Sequence, residues 1–417
     1  MARAALQTVC NDPAADVESL VLLGAICEQA RNFSPALDIY KRAVALAPRR
    51  ADLCVRMGLC CLELGHPEAA IAAMREAAER DLDDLPLQQA MAQAYGAAHL
   101  WVESHMAYEQ AARLAPDNHP LLAALSQSAR RAGNTPRAVE ALRQAIALAG
   151  DMAEGVAYRQ TLAGLFAADG QLPAAKAMYL EAHALAPGHG SVLMGLGQVH
   201  VMLNELAQAE AVFDKATRAL ADKAAPHFAL GEARSLLGHW EPARAAFARA
   251  AELEPANSLH LRRVGECLWQ QGKKATAIAM WQKNLVAHPK DGCTYARLGV
   301  ALSGQGRHTE ALLAFEQAVA VSPADAERHG LLVEAARAAY ALGDYPRAVS
   351  HVERATQLAS NDADAWQLLG ESLRAQGQHE RALPALQKAA QLSPAEGWPH
   401  AVLANTLARQ KRLPDAL

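Results

Sequence analysis

One spacing governs this chain. The stretch GAICEQARNFSPALDIYKRAVALAP, from Gly24, aligns with GLCCLELGHPEAAIAAMREAAERDL, from Gly58, at a shift of 34 residues, and the shift then continues along the chain. Units begin at Val17, Ala51, Leu85, His119, Val156, Gly190, Ala224, Ser258, Gly292, His329 and Ala363. Three-residue insertions, 153–155 and 326–328, interrupt the period. A repeat of this length is one supersecondary piece, too small to bury its own apolar stripe, so that only stacking completes a core.

Within each unit the residue types follow from how closely two helices must pass. Position 8 is glycine in seven units, namely Gly24, Gly58, Gly197, Gly231, Gly265, Gly299 and Gly370. Position 20 is alanine in ten, with Ser104 the exception, and position 27 is alanine in ten, with Asn284 the exception. Position 24 is always large and apolar, as in Tyr40, Tyr108, Tyr179, Phe213, Phe247, Trp281 and Phe315. A nearly absent side chain at 8 opposite Ala at 20 predicts a tight hairpin crossing, flanked by position 24. Glycine near position 15, from Gly65 to Gly377, predicts a left-handed cap on the first helix. Pro67, Pro136, Pro173 and Pro346 suit the first turn of the second helix, whose N–H needs no partner. The composition agrees, since 52% of residues are apolar but only 5% aromatic, leaving alanine, the best helix former, to fill the interior. The insertions are expected to lengthen a helix or loosen a joint, and Pro384 to kink its helix or delay the start.

Glycine at 8, alanine at 20 and 27 and frequent proline at 32, on a 34-residue period, resemble the tetratricopeptide repeat family over essentially the whole chain. The resemblance implies an all-α fold, a right-handed α-α superhelical solenoid of helix-turn-helix repeats whose first helices line a concave groove. On that basis the chain is expected to be a single solenoid over 1–417. Its parts are a partial repeat or cap at 1–16, repeats 1–4 over 17–152, repeats 5–9 over 156–325, repeats 10–11 over 329–396 and a truncated twelfth at 397–417. The last nineteen residues, PHAVLANTLARQKRLPDAL, read as one helix, a turn and the start of another. Neither end shows an obvious polar cap, the expectation for a segment of a longer protein or for ends covered by something else.

Bulk properties narrow the function. Forty basic and 44 acidic residues, net charge -4, argue against general nucleic-acid or membrane-surface binding. Apolar runs fall far short of the ~20 residues of a membrane span, and the N-terminus has no secretory pattern. There are seven cysteines. Cys27, Cys54, Cys60, Cys61 and Cys267 fall in helical patterns and read as core, with a reducing, cytoplasmic setting. The sixteen histidines scatter, mostly to turns and unit boundaries. No H-E-x-x-H, P-loop or G-x-S-x-G occurs, and Gly195 and Gly197 lie inside a helical pattern. No catalytic residue, cofactor or metal is therefore assigned.

A binding groove is the remaining source of function. In the family, positions 2, 5, 9, 12 and 13 of the first helix face inward, with position 6 nearby. Position 6 carries no asparagine here, which disfavours the terminal-carboxylate clamp of chaperone-tail-binding repeats and the asparagine ladder of the O-GlcNAc transferase relatives. Gln89, Gln93, Gln127, Gln160 and Gln198 hold positions 5 or 9, where amides either pair with a peptide backbone of any charge or are plain solvated helix surface. The stretch LRRVGECLWQQG places Arg262, Glu266 and Trp269 on one face of one helix. Arg263 and Arg297 at position 6, then Arg337 and Tyr340 two units later, extend it. Arginine, tryptophan and tyrosine are frequent interface anchors; the competing account is internal stacking of Trp269 on neighbouring repeats. Trp281 and Trp366 are assigned to the core.

The expected function is a non-catalytic protein–protein interaction scaffold that holds an extended peptide or a partner helix in the groove. One alternative is the docking or regulatory arm of a larger enzyme, since similar repeats are fused to glycosyltransferases, sulfotransferases and caspase-like proteases. Another is an envelope or polysaccharide-export assembly protein, which the absent signal and the thiols disfavour. The acidic balance counts against an RNA-binding repeat.

Overall fold

Nine of the eleven unit starts read from the sequence are the first residues of helices in the computed structural model. The other two helices begin early, at Ala153 and Asp325, because the inserted residues add a turn. They run 16 and 17 residues, the longest among the described helices. The insertions thus lengthen first helices. The structure describes residues 16–48, 50–78, 84–322, 324–394, 401–402 and 404. The end fragments expected at 1–16 and 397–417 lie, apart from 16, 401–402 and 404, outside the described residues, as does Pro323.

Twenty-two helices and no strand occur among the described residues, in two compact units, Met1–Leu203 and Asn204–Leu417. In the first unit the helices are α1 (Val17–Gln29), α2 (Phe33–Leu46), α3 (Ala51–Glu63), α4 (Pro67–Ala78), α5 (Leu85–Ala97) and α6 (Trp101–Leu114). They continue as α7 (His119–Arg131), α8 (Thr135–Ala149), α9 (Ala153–Ala168), α10 (Leu172–Leu185) and α11 (Gly190–Met202). The second unit holds α12 (Leu206–Ala219), α13 (Ala224–Leu236), α14 (Trp240–Leu253), α15 (Ser258–Gln270), α16 (Lys274–Ala287) and α17 (Gly292–Ser303). It ends with α18 (His308–Val321), α19 (Asp325–Ala341), α20 (Tyr345–Leu358), α21 (Ala363–Ala375) and α22 (His379–Leu392). Each unit stacks antiparallel hairpins, and no described helix is long and apolar enough to cross a membrane.

The turn inside the hairpin is made by backbone. Gly272 takes φ 77, and the amides of Gly272 and Lys273 donate to the carbonyls of Trp269 and Leu268 at 2.9 and 3.0 Å. That left-handed cap satisfies carbonyls the helix leaves open and points the chain back along itself. Where glycine is missing, Arg31 and His99 accept the same conformation at φ 57 and 60.

Packing within the hairpin differs from expectation in one respect. At six of these glycines, Gly24, Gly58, Gly231, Gly265, Gly299 and Gly370, a Cβ would first strike position 24, and not Ala at 20. It would come 2.5 Å from the Tyr40 ring at Gly24, 2.6 Å from Phe247 at Gly231 and 2.7 Å from Phe315 at Gly299. The glycine is a seat for a large side chain, and Phe247 and Phe315 are each 1% exposed. Tyr179 is seated differently: its own unit has Ala163 at position 8, and its ring lies over Gly195 of the next first helix, where a Cβ would come within 2.3 Å of it. Pro384 does not delay the start of its helix; α22 begins at His379 and runs through it.

Candidate functional site

The first helices α13, α15 and α17 of the second unit carry the densest group of expected residues. Helical spacing puts Glu266 and Trp269 on one side of α15, while Val264, Cys267 and Leu268 turn into the core. Burial pushes the Cys267 thiol up to about 11. Trp269 is half-buried, with its ring 5.9 Å from that of Trp281, and the Lys274 ammonium lies 5.4 Å over it. The ring that Trp269 meets belongs to its own hairpin and not to a neighbouring repeat, and part of the Trp269 side chain still reaches the surface.

Charges of alternating sign link the three helices. Glu232 on α13 accepts from Arg263 on α15 at 3.0 Å, and Arg263 also reaches Glu266 at 2.8 Å. Arg297 on α17 approaches Glu266 at 3.2 Å. Burial raises the Glu232 carboxyl above its ordinary value, against the pull of Arg263.

Two cavities flank α15 along this chain of charges. One, of about 150 Å³, is lined by Glu266, Trp269, Gln270, Trp281, Arg297, Val300 and Ala301. The other, of about 270 Å³, is lined by Glu232, Ser235, Leu236, Trp240, Phe247, Arg263, Glu266, Cys267 and Gln270. Leu236 and Val300 stand 60% and 56% exposed at the rims, which leaves an apolar shelf beside the charges.

Other expected residues have different surroundings. Arg262 turns to Asp291, 3.3 Å away and 8% exposed, which also caps α17 through the Thr294 amide and hydroxyl. Thr294 accepts in turn from the buried Asn284, whose amide also reaches the Ser258 carbonyl. Arg337 lies between Glu334 and Asp364 at 3.7 Å each, and Tyr340 meets Tyr345 edge-on; neither lines either cavity. Trp281 is core, as expected, yet also forms cavity wall; Trp366 is only half-buried, its indole donating to the Ser360 carbonyl.

In the first unit, Gln93 and Gln127 share a cavity of about 250 Å³ with Gly96, Trp101, Ser104, Tyr108 and Arg131, whose guanidinium lies 5.0 Å over Trp101. Gln160 accepts from the Ser191 hydroxyl at 2.9 Å. Gln89 is half-buried and Gln198 exposed. The residues missed from the sequence are Glu232, Leu236, Lys274 and Val300. Glu232 had a signal: Glu232 to Arg263 and Glu266 to Arg297 are both steps of 31, position 9 of one unit to position 6 of the next.

Comparison with known proteins agrees with the repeat. Three family profiles described as tetratricopeptide repeat match, one at residues 228–291 and 333–396, one at 29–94 and 166–234, and one at 294–322. Together they take in well over half of the chain. No curated protein matches. Among solved structures, Naa15/Naa10 bound to HypK-THB is 14% identical, covers 96% of this chain and 67% of its own, and has a TM-score of 0.43. Yeast Tom70 is 14% identical over 95% of this chain and 96% of its own, TM-score 0.40. YrrB, described as a TPR protein with an unusual peptide-binding site, is 23% identical over 44% of this chain and 94% of its own, TM-score 0.38.

Proposed function

The chain belongs to the tetratricopeptide repeat family, and on that premise we propose that it is a non-catalytic protein-binding scaffold. The partner segment, an extended peptide or a helix, lies across the first helices α13, α15 and α17. One observation carries this: the exposed Leu236 and Val300 flank two cavities on a surface that also presents Trp269 and Arg297. Apolar surface with a few fixed polar groups at its edge is the usual composition of an interaction face. Arg263 and Glu266 support it by holding the rim in place, and Arg262 acts through Asp291 to fix α17. Gln93 and Gln127 line a separate cavity within the first unit. The buried thiols Cys60, Cys61 and Cys267 favour a reducing compartment, in keeping with a cytoplasmic setting.

Site-specific photo-crosslinking tests the proposal. A photoreactive amino acid in place of Val300 or Leu236 should give discrete adducts with a partner in cells. The same group in place of Val286, which is 87% exposed on the second helix α16, should not. Equal labelling from all three positions would reject a partner held on the first helices.

A further inference from the structure

We infer that the cavity beside Trp269 selects an acidic segment of a partner protein, one with a bulky apolar side chain next to a carboxylate. The inference rests on the scaffold role proposed above and names the chemistry of its ligand. The apolar requirement comes from size and lining. The cavity, of about 150 Å³ and open to solvent, has an apolar wall of Trp269, Trp281, Val300 and Ala301 facing Glu266, Gln270 and Arg297, and a volume of that order has room for one benzene-sized ring.

The acidic requirement comes from the charges around that opening. Glu266 is already shared by Arg263 and Arg297, so the carboxylate nearest the cavity is spent. Arg297 is 61% exposed and engages Glu266 through Nε. Among the described residues no other carboxylate pairs with it, which leaves the outer edge of its planar fork to meet a second carboxylate side-on. Lys274, exposed above the Trp269 ring, pairs with no carboxylate among the described residues. Just beyond it, Glu241 is engaged by both Arg244 and Lys273. Arg297 at the cavity wall, which shares its one carboxylate, and Lys274 over the Trp269 ring are therefore cations open to a further carboxylate, on a chain whose net charge is -4. An apolar side chain inserted between Trp269 and Val300 brings the carboxylate of the next residue toward Arg297, and a second one toward Lys274.

Fluorescence anisotropy on the full chain tests this with three fluorescein-labelled, C-terminally amidated peptides. They are Gly-Ser-Phe-Asp-Glu-Gly-Ser, its Phe-Lys-Lys counterpart and its Ala-Asp-Glu counterpart. The first should bind at least about tenfold more tightly than either of the others, and less tightly as salt rises. Arg297→Glu, with helicity checked by circular dichroism, should remove that preference and shift it toward the lysine peptide. Equal binding of acidic and basic peptides, preference for the basic one by the unaltered chain, or no binding of any peptide overturns the inference. If Val300 and Leu236 still cross-link selectively in that event, the scaffold proposal stands without it; if they do not, the scaffold proposal falls on its own test.

Discussion

The indole of Trp281 fills the place where a side chain at Gly265 would begin: a Cβ there would lie 2.3 Å from Nε1. The indole N–H donates to the Arg262 carbonyl at 3.1 Å, so the ring is held by a directed bond and cannot slide aside freely. Gly265→Ala should therefore destabilise by about 1–3 kcal/mol, the cost of overpacking a filled core. Gly164, inside α9, has nothing within 4 Å of its would-be Cβ. Gly164→Ala should stabilise by about 0.5–1 kcal/mol through helix propensity alone. Opposite signs in urea melts of the two variants are the expected result; matching signs would show that Trp281 yields.

Pro384 occupies the sixth position of α22, where its missing N–H leaves the Glu380 carbonyl without its helical donor. The residue is exposed, so solvent absorbs part of the cost. Pro384→Ala should add up to about 3 kcal/mol of stability, read as a higher melting temperature. No increase would mean that the helix has fully adapted to the ring.

Burial should also govern thiol chemistry. Cys60 is buried against Glu28, and burial together with that carboxylate pushes it up to about 12. Cys61 is raised by burial as well, while Cys293 is exposed near the start of α17. In the native protein, iodoacetamide should label Cys293 well before Cys60, Cys61 or Cys267, since the thiolate is the reacting species. Peptide mapping by mass spectrometry reads the order directly. Early labelling of Cys60 would mean that α1 and α3 open locally.

Much of the fold is legible because the period is long and its small residues recur in most units. Helix starts follow unit starts, and caps follow glycines such as Gly272 and Gly377. The seat of position 24 was not legible, because pattern alone cannot say which side chain a missing Cβ makes room for. Tyr179 shows this well: its space comes from Gly195 of the following unit and not from its own. At the candidate site, Trp269 is legible from residue type on one face of α15, and Arg297 from its place at position 6 of the next unit. Helical spacing groups Arg262 with Trp269, but spacing does not reveal that Asp291 stands 29 residues on as its partner. Leu236, Val300 and Lys274 escaped because ordinary aliphatic and lysine residues become informative only when their exposure is known.

The Arg262–Asp291 pair gives the pH dependence its sign. Burial alone would raise the Asp291 carboxyl, but the Thr294 hydroxyl and amide, with Arg262, hold it below its ordinary value of 3.8. A carboxyl depressed in the folded state contributes stability that is fully present above its unfolded value and is lost as pH falls through the folded one. Asp291→Asn keeps an oxygen to cap α17 but removes the charge facing Arg262. At neutral pH the variant should be less stable by about 1.5–3 kcal/mol, the range for hydrogen bonds to charged groups. As pH drops below 3.8 the unaltered carboxyl becomes protonated too, and the gap between the two proteins should close. Arg262→Ala should show the same narrowing, because it removes the other half of the pair. Thermal melts of the three proteins from neutral pH down through 3.8 provide the measurement. A gap that stays constant would mean that Asp291 acts only through its cap, and that Arg262 is free to leave it for a ligand.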